Sequence, residues 1–287
     1  MAQRVASAGH RLTLWNRTEA TARVLAESIP AATVTVARSP AAAVRNQDAI
    51  LSVLADGDGT RAVLLDPPVL AALTPGAVVC DLGTSGVAAA GDLATGLRGA
   101  SVRFVDAPVS GSVAAVEAGT LLVMAGGESD AVDAARAVLG AFARKIVHVG
   151  PAGAGQTMKL AVNLIVHDLN AAVSEALLMA KTAGIAADDA YDVFEESVIA
   201  APFVVYKREA FLDPRTSVAM SLDLVNKDLR LITGFADELG VSVPLTEAAA
   251  DSVAEACNAG YGSDDMASLT RFLAVRPSSR REHDDPR

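Results

Sequence analysis

Gly150-Pro-Ala-Gly153-Ala-Gly155-Gln-Thr-Met-Lys159 marks the seam of this chain. Upstream of it, β-rich runs at residues 12–15, 33–37, 49–54, 77–81, 102–105, 121–125 and 146–149 alternate with helical patterns at 18–28, 40–46, 60–65, 87–97 and 130–142. Ser39-Pro40 supplies a capping side chain and a first-turn proline for one of those helices, and Thr18-Glu19 reads the same way. Such alternation builds βαβ units and a mostly parallel sheet, with ligands at the carboxyl ends of the strands. Downstream, Gly153-Ala-Gly155 opens an unbroken helical pattern that reaches about Thr182. Helices at 187–197, 203–210, 222–238 and 245–259 follow, with no strand among them. The pattern implies an α/β chain: a doubly wound parallel-sheet domain over residues 1–150, an all-helical domain over 151–275, and a polar tail over 276–287 that is expected to be disordered.

Composition narrows the function classes. Hydrophobic residues make up 51% of the 287 and charged residues 20%, which is ample for a buried core and rules out disorder over most of the length. Aromatics are only 4%, a mix that suits helices packed on a sheet better than an aromatic-rich sandwich. The net charge is −10 and no basic block stands out, so no nucleic-acid partner is expected. Cys80 and Cys257 lie far apart among apolar residues and read as two buried thiols, with neither a disulfide nor a metal site expected. Residues 1–10 carry Arg4 and no apolar signal core, and no uncharged apolar run reaches the roughly 18 residues of a membrane span. A cytoplasmic protein with no membrane partner is expected.

Chemistry concentrates on the long helix. Lys159, Asn163 and His167 are four residues apart and Asn170 lies three further on, so all four share one helix face. The rest of the helix is almost wholly apolar and reads as buried on most sides. A lysine there needs a reason, because burying an unpaired charge is costly. Acid/base catalysis is one, since desolvation draws a lysine pKa toward neutrality. A first-turn side chain reaching back to solvent is the other. Periodicity does not choose between them, and for His167 a packed or surface histidine is the simpler reading.

The segment Gly153-Ala-Gly155-Gln-Thr-Met-Lys159-Leu-Ala-Val-Asn163 resembles the catalytic signature of the β-hydroxyacid dehydrogenases, the family of 3-hydroxyisobutyrate dehydrogenases and of glyoxylate and succinic semialdehyde reductases. The resemblance implies a Rossmann-type sheet domain followed by an all-α domain like the C-terminal part of 6-phosphogluconate dehydrogenase. It makes Lys159 the acid/base and Asn163 the residue that anchors substrate. Asp106-Ala-Pro-Val-Ser110-Gly111-Ser112, with Glu117-Ala-Gly119-Thr120 and Met124-Ala-Gly126-Gly127 after it, is similar to the family's substrate-binding stretch. Hydroxyls of Ser110 and Ser112 beside backbone N–H groups at a glycine turn can hold a carboxylate, and Gly111 permits close approach. Ser112 and Ala115 depart from the pattern, standing where glycines are usual. Leu222-Asp-Leu-Val-Asn-Lys227-Asp228 resembles the later Lys-Asp motif, which implies that Lys227 reaches toward the cofactor and that Asp228 is structural. Gly260-Tyr-Gly262-Ser-Asp-Asp265 resembles a turn that shapes the mouth of the active site.

The cofactor is expected to be NADP(H), with NAD as the alternative. The run at 12–15 ends in Asn16-Arg17-Thr18, where such sheets read the adenine ribose. No carboxylate stands there for a ribose 2′-hydroxyl; Arg17 can instead pair with a 2′-phosphate, and Asn16 and Thr18 can donate hydrogen bonds. By resemblance Leu54, Ala55 and Thr84 also line the cofactor groove. The phosphate-binding glycine fingerprint should precede the ribose-reading position by about 20 residues, which places it ahead of Met1. Residues 1–10 therefore look like the helix after that loop, with Gly9 as its stop. A sheet domain lacking its first strand is the expectation, through a start site assigned too far downstream or through a truncated, impaired product.

The expected function is hydride exchange between NADP(H) and a small hydroxyacid or semialdehyde such as 3-hydroxyisobutyrate. The rivals are an imine reductase of the same architecture, against which Lys159 argues, and a ligand-binding or dimerising remnant. A small carboxylic acid as substrate and a homodimer or higher homo-oligomer sharing the long helix complete the expectations.

Overall fold

The computed structural model describes residues 1–276, so the tail expected to be disordered lies outside the described residues from 277 onward. The described chain forms two compact units, residues 1–162 and 163 onward, dividing within one long helix.

In the first unit the elements run α1 (Ala2–Ser7), β1 (Leu12–Leu14), α2 (Glu19–Glu27), β2 (Val34–Val36), α3 (Pro40–Val44), β3 (Ala49–Ser52), α4 (Gly57–Leu64), α5 (Pro67–Ala72), β4 (Val78–Asp81), α6 (Val87–Gly99), β5 (Arg103–Asp106), β6 (Val109–Ser110), α7 (Val113–Ala118), β7 (Leu121–Gly126), α8 (Ser129–Leu139) and β8 (Ala143–Gly150). Ser39 caps α3 as its sequence predicts, its hydroxyl accepting from the Ala42 N–H at 3.2 Å with Pro40 in the first turn. Thr18 stands at the head of α2 without capping it through its side chain; Asn16 Oδ1 accepts from the Thr18 N–H instead.

The strands fall into two sheets. β1 pairs with β2 in parallel, and β3-β4-β5-β7-β6 form a second sheet with β8 added to β7. β3, β4 and β5 are parallel, as the alternation implies. β7 runs antiparallel to both β5 and β6 and parallel to β8, so the sheet is mixed at this edge. β4 shows why this unit has two cores. Its side chains alternate: Val78 and Cys80 face a cluster with Val105, Val123 and Leu139, and Val79 faces one with Leu93, Leu97 and Phe104. All of its residues are buried, and each valine so buried contributes roughly 1.5–3 kcal/mol. Burial pushes the Cys80 thiol up to about 12, whereas Cys257 is half-buried rather than buried.

The helix that crosses the division is α9 (Ala154–Thr182), ending where its sequence predicts, just before Gly184. The second unit continues with α10 (Ala187–Glu196), α11 (Pro202–Leu212), α12 (Leu222–Leu239), α13 (Pro244–Ala256) and α14 (Leu269–Val275). It is all-helical among the described residues. Tyr191, Leu222, Leu229 and Leu269 form fully buried parts of its core, and the Tyr191 hydroxyl donates to Val204 O at 3.0 Å. By length and composition α9 could cross a membrane. However, it buries Asn163, His167, Asp168 and Asn170, and the polar bonds that Asn163, Asp168 and Asn170 make stay within this unit.

Candidate active site

The first unit fixes the start of α9 against the ends of β5 and β7 through backbone proximity. A Cβ on Gly155 would lie 2.5 Å from both Asp106 O and Met124 O, so only glycine lets the helix approach this closely. Asp106, fully buried at the end of β5, completes the junction. Its Oδ1 accepts from Gly153 N–H at 2.8 Å and its Oδ2 from Gln156 N–H at 2.7 Å, capping the first turn of α9. Burial pushes the Asp106 carboxyl up to about 7, against the pull of those N–H groups, and the charge of Asp81 adds to the rise.

This junction aims Lys159. Its Nζ donates to Val109 O at 2.9 Å, half-buried, directly before Ser110-Gly111-Ser112. The ammonium and the loop, some fifty residues apart in sequence, are thus brought together. The loop is held by β6, whose Val109 and Ser110 register against Val123 and Leu122 of β7. Gly111 follows with φ +142, and a Cβ there would press on Leu121 Cδ2 at 2.6 Å. The Ser112 hydroxyl has a local partner as well: it accepts from Ala115 N–H at 3.3 Å and caps α7, a helix the sequence reading did not anticipate.

The loops after β1, β3 and β4 carry the residues expected to hold the cofactor. Asn16, Arg17 and Thr18 are exposed beyond β1. Leu54 and Ala55 follow β3, and Thr84 follows β4. The last two loops pack back to back: a Cβ on Gly83 would lie 2.9 Å from Leu54 O, and one on Gly57 would overlap Ser85 O. Gln156 then grips the Thr84 loop. Its Oε1 accepts from Ser85 N–H at 3.1 Å and Gly86 N–H at 3.2 Å, while its Nε2 donates to Gly83 O at 2.9 Å. Sequence reasoning missed Gln156 and Asp106. The signal was present for Gln156, a polar residue in the first turn of an apolar helix, three before Lys159.

In the second unit Asn163 is buried and its Nδ2 donates to Asp228 Oδ2 at 2.7 Å. Lys227 Nζ lies 3.0 Å from Asp228 Oδ1, and His167 Nε2 lies 3.6 Å from Oδ2, longer than a hydrogen bond. Burial works to raise the Asp228 carboxyl, but His167 and Lys227 outweigh it and hold it below the usual carboxylate range. Asp228, expected to be structural, thus contacts two of the predicted site residues, Asn163 and Lys227. In the Gly260–Asp265 turn, Asp265 pairs with Lys207.

Residues 1–150 match the family model of the NAD binding domain of 6-phosphogluconate dehydrogenase, and residues 153–273 match that of the NAD-binding domain of NADP-dependent 3-hydroxyisobutyrate dehydrogenase. L-threonate dehydrogenase of Escherichia coli is 31% identical over 229 residues, spanning 79% of this chain and 76% of its own. The chain belongs to the β-hydroxyacid dehydrogenase family. Glyoxylate/succinic semialdehyde reductase 1 of Arabidopsis thaliana is 27% identical, over 91% of this chain and 89% of that protein. The crystal structure of 3-hydroxyisobutyrate dehydrogenase from Salmonella typhimurium superposes with a TM-score of 0.86 at 28% identity, covering 94% of each chain. This β-hydroxyacid dehydrogenase is an NAD(P)-dependent oxidoreductase acting on CH–OH groups. The exposed Arg17 guanidinium beyond β1 suits an anionic group of such a cofactor.

Proposed function

We propose that this chain interconverts a small hydroxyacid, such as 3-hydroxyisobutyrate, and the matching semialdehyde with NADP(H), and that Lys159 is the acid/base. The observation that carries this reading is the bond from Lys159 Nζ to Val109 O, which tethers the only ammonium of the α9 start beside the Ser110–Ser112 loop. Bound nicotinamide would supply or accept the hydride. Lys159 would give a proton to the carbonyl oxygen in reduction and take it from the hydroxyl in oxidation. Ser110 and the backbone about Gly111 would hold the carboxylate, with Ser112 sharing its hydroxyl between that task and its cap. Asn163 commits one amide hydrogen to Asp228, leaving Oδ1 and the second hydrogen for substrate. Asn16, Arg17, Thr18, Leu54, Ala55, Thr84 and Lys227 would hold the cofactor. Exposed Ile165 and Met179 on α9, 66% and 72% accessible, support a homodimer that buries this helix.

The direct test is NADPH oxidation with succinic semialdehyde, glyoxylate and methylmalonate semialdehyde as acceptors. Turnover of a cyclic imine with none of these acceptors would transfer the reading to the imine reductases. In the same assay Arg17→Ala should raise the KM for NADPH about 10–100-fold and leave NADH unchanged, the loss of one charge-assisted contact of roughly 1.5–3 kcal/mol. Equal losses with both cofactors would remove Arg17 from phosphate recognition.

Asp228 acts in this scheme as a positioning residue. Asp228→Asn should raise the substrate KM about tenfold with a smaller change in kcat, because the Asn163 amide loses a charged acceptor worth roughly 1.5 kcal/mol. A unchanged KM in a folded variant would limit Asp228 to structure.

A further inference from the structure

Asn163, His167, Asp168 and Asn170 interrupt the apolar run of α9, and all four are buried. Three of them are bonded. Asn163 donates to Asp228 Oδ2 at 2.7 Å, Asp168 Oδ2 accepts from the Thr246 hydroxyl at 2.9 Å, and Asn170 donates to Met266 O at 3.0 Å. His167 differs. It is 2% exposed, and among the described residues neither of its ring nitrogens has a hydrogen-bond partner. A buried donor left unmade costs the desolvation of that group, and an apolar side chain of similar volume would avoid the cost. A polar ring at this place therefore needs a use.

Its nearest acceptor points to one. His167 Nε2 stands 3.6 Å from Asp228 Oδ2, the oxygen that the Asn163 amide already occupies. A shift of about half an ångström would bring the imidazole into bonding range. Asp228 Oδ1 faces Lys227 Nζ at 3.0 Å, so Oδ2 is the oxygen that Asn163 and His167 share. The two residues lie one helical turn apart and reach the carboxylate from one face of α9. Asp228 is itself 2% exposed, and a carboxylate buried that deeply keeps its charge only while donors surround it. Any pull on the Asn163 amide therefore leaves this charge short of a donor unless another closes in. His167 is within reach to do so.

We propose that His167 is a positioning residue, a standby donor that closes on Asp228 Oδ2 as substrate draws on the Asn163 amide. Asp228 then holds that amide for substrate through a lengthened bond while its own oxygens stay bonded. The substrate half of this rests on the proposed reading of Asn163 as the anchor. The exchange of donors lies within the second unit and does not.

A stability cycle on Asn163 and His167 tests the exchange without substrate. His167→Leu alone should lower Tm by no more than about 2 °C, since the ring forfeits no hydrogen bond. On an Asn163→Ala background, where His167 would hold Oδ2, the same substitution should lower Tm by about 5 °C more. Losses larger together than apart identify two groups that substitute for each other, whereas groups that merely pack together lose less than the sum. An additive cycle, or a combined loss below the sum, overturns the standby donor. The kinetic arm uses succinic semialdehyde and NADPH. His167→Leu should raise the KM for the semialdehyde about fivefold and leave kcat within about twofold. His167→Gln, whose amide nitrogen falls near the place of Nε2, should restore KM, and His167→Asn, whose nitrogen falls near Nδ1, should not. If the leucine variant fails to fold, the Gln and Asn variants carry both arms. An unchanged KM in all three variants with turnover intact overturns the positioning role. Absence of turnover with every acceptor overturns the proposed function and the substrate half with it, while the stability cycle still decides the exchange.

Discussion

Lys159→Met is expected to lower kcat by about 10²–10⁴, the usual contribution of a positioned general acid/base, with little change in NADPH affinity. Methionine keeps most of the buried stem while removing the ammonium that donates to Val109 O, so the loss reads the proton-transfer role more than packing. The physical basis is the docking of α9. Asp106 caps its first turn, Gly155 lets it approach β5 and β7, and Lys159 emerges one turn later, aimed at the Ser110 loop. Stopped-flow hydride transfer and cofactor fluorescence titration separate the two effects. A drop in kcat smaller than tenfold would leave Lys159 a tether for the loop, and partial rescue by added alkylamines would tie the loss to the missing proton donor.

Lys207→Met is expected to cost about 3–5 kcal/mol of stability, the penalty for removing one partner of a buried ion pair. Lys207 on α11 is 3% exposed, and its Nζ contacts both Asp265 oxygens at 2.7 and 2.8 Å. Asp265 also accepts from the N–H groups of Ala219 and Ala267 at 3.0 and 3.1 Å, so the pair ties the segment before α12 to the turn before α14. Burial would raise the Asp265 carboxyl, yet Lys207 and these N–H groups hold it below the usual range. A carboxylate with a depressed folded pKa contributes stability above its unfolded pKa and loses it as pH falls through the folded value. The gap between wild type and Lys207→Met in urea midpoint should therefore be full at pH 7 and shrink below about pH 4. The double variant Lys207→Met/Asp265→Asn should recover much of the loss, because no unpaired charge stays buried. A gap independent of pH would reassign the effect to side-chain packing.

Much of the fold could be read from pattern. The βαβ alternation, the Ser39-Pro40 start of α3 and the end of α9 at Thr182 depend on local periodicity and capping, which are written in consecutive residues. β6 and α7 could not be read that way. β6 is two residues long and exists because β7 offers it an edge; α7 begins where the Ser112 hydroxyl turns back on Ala115 N–H. For elements this short the partner supplies most of the stabilisation, and the partner is remote in sequence.

The site divides along the same line. Periodicity alone put Lys159, Asn163 and His167 on one helix face, and resemblance supplied the roles of Lys159 and Asn163. Only the folded chain decided what each one touches. Lys159 meets a carbonyl fifty residues upstream, Asn163 a carboxylate sixty-five residues downstream, and Gln156 a loop some seventy residues away. Sequence by itself therefore determined the α/β class and the helical second part, because helix and strand periods are local properties, while the candidate acid/base came from the resemblance of the motif around Lys159. Tertiary structure decided the grip of Gln156, the capping of α9 by Asp106 and the cluster at Asp228, because contacts at such separations arise only when packing has brought distant backbone together.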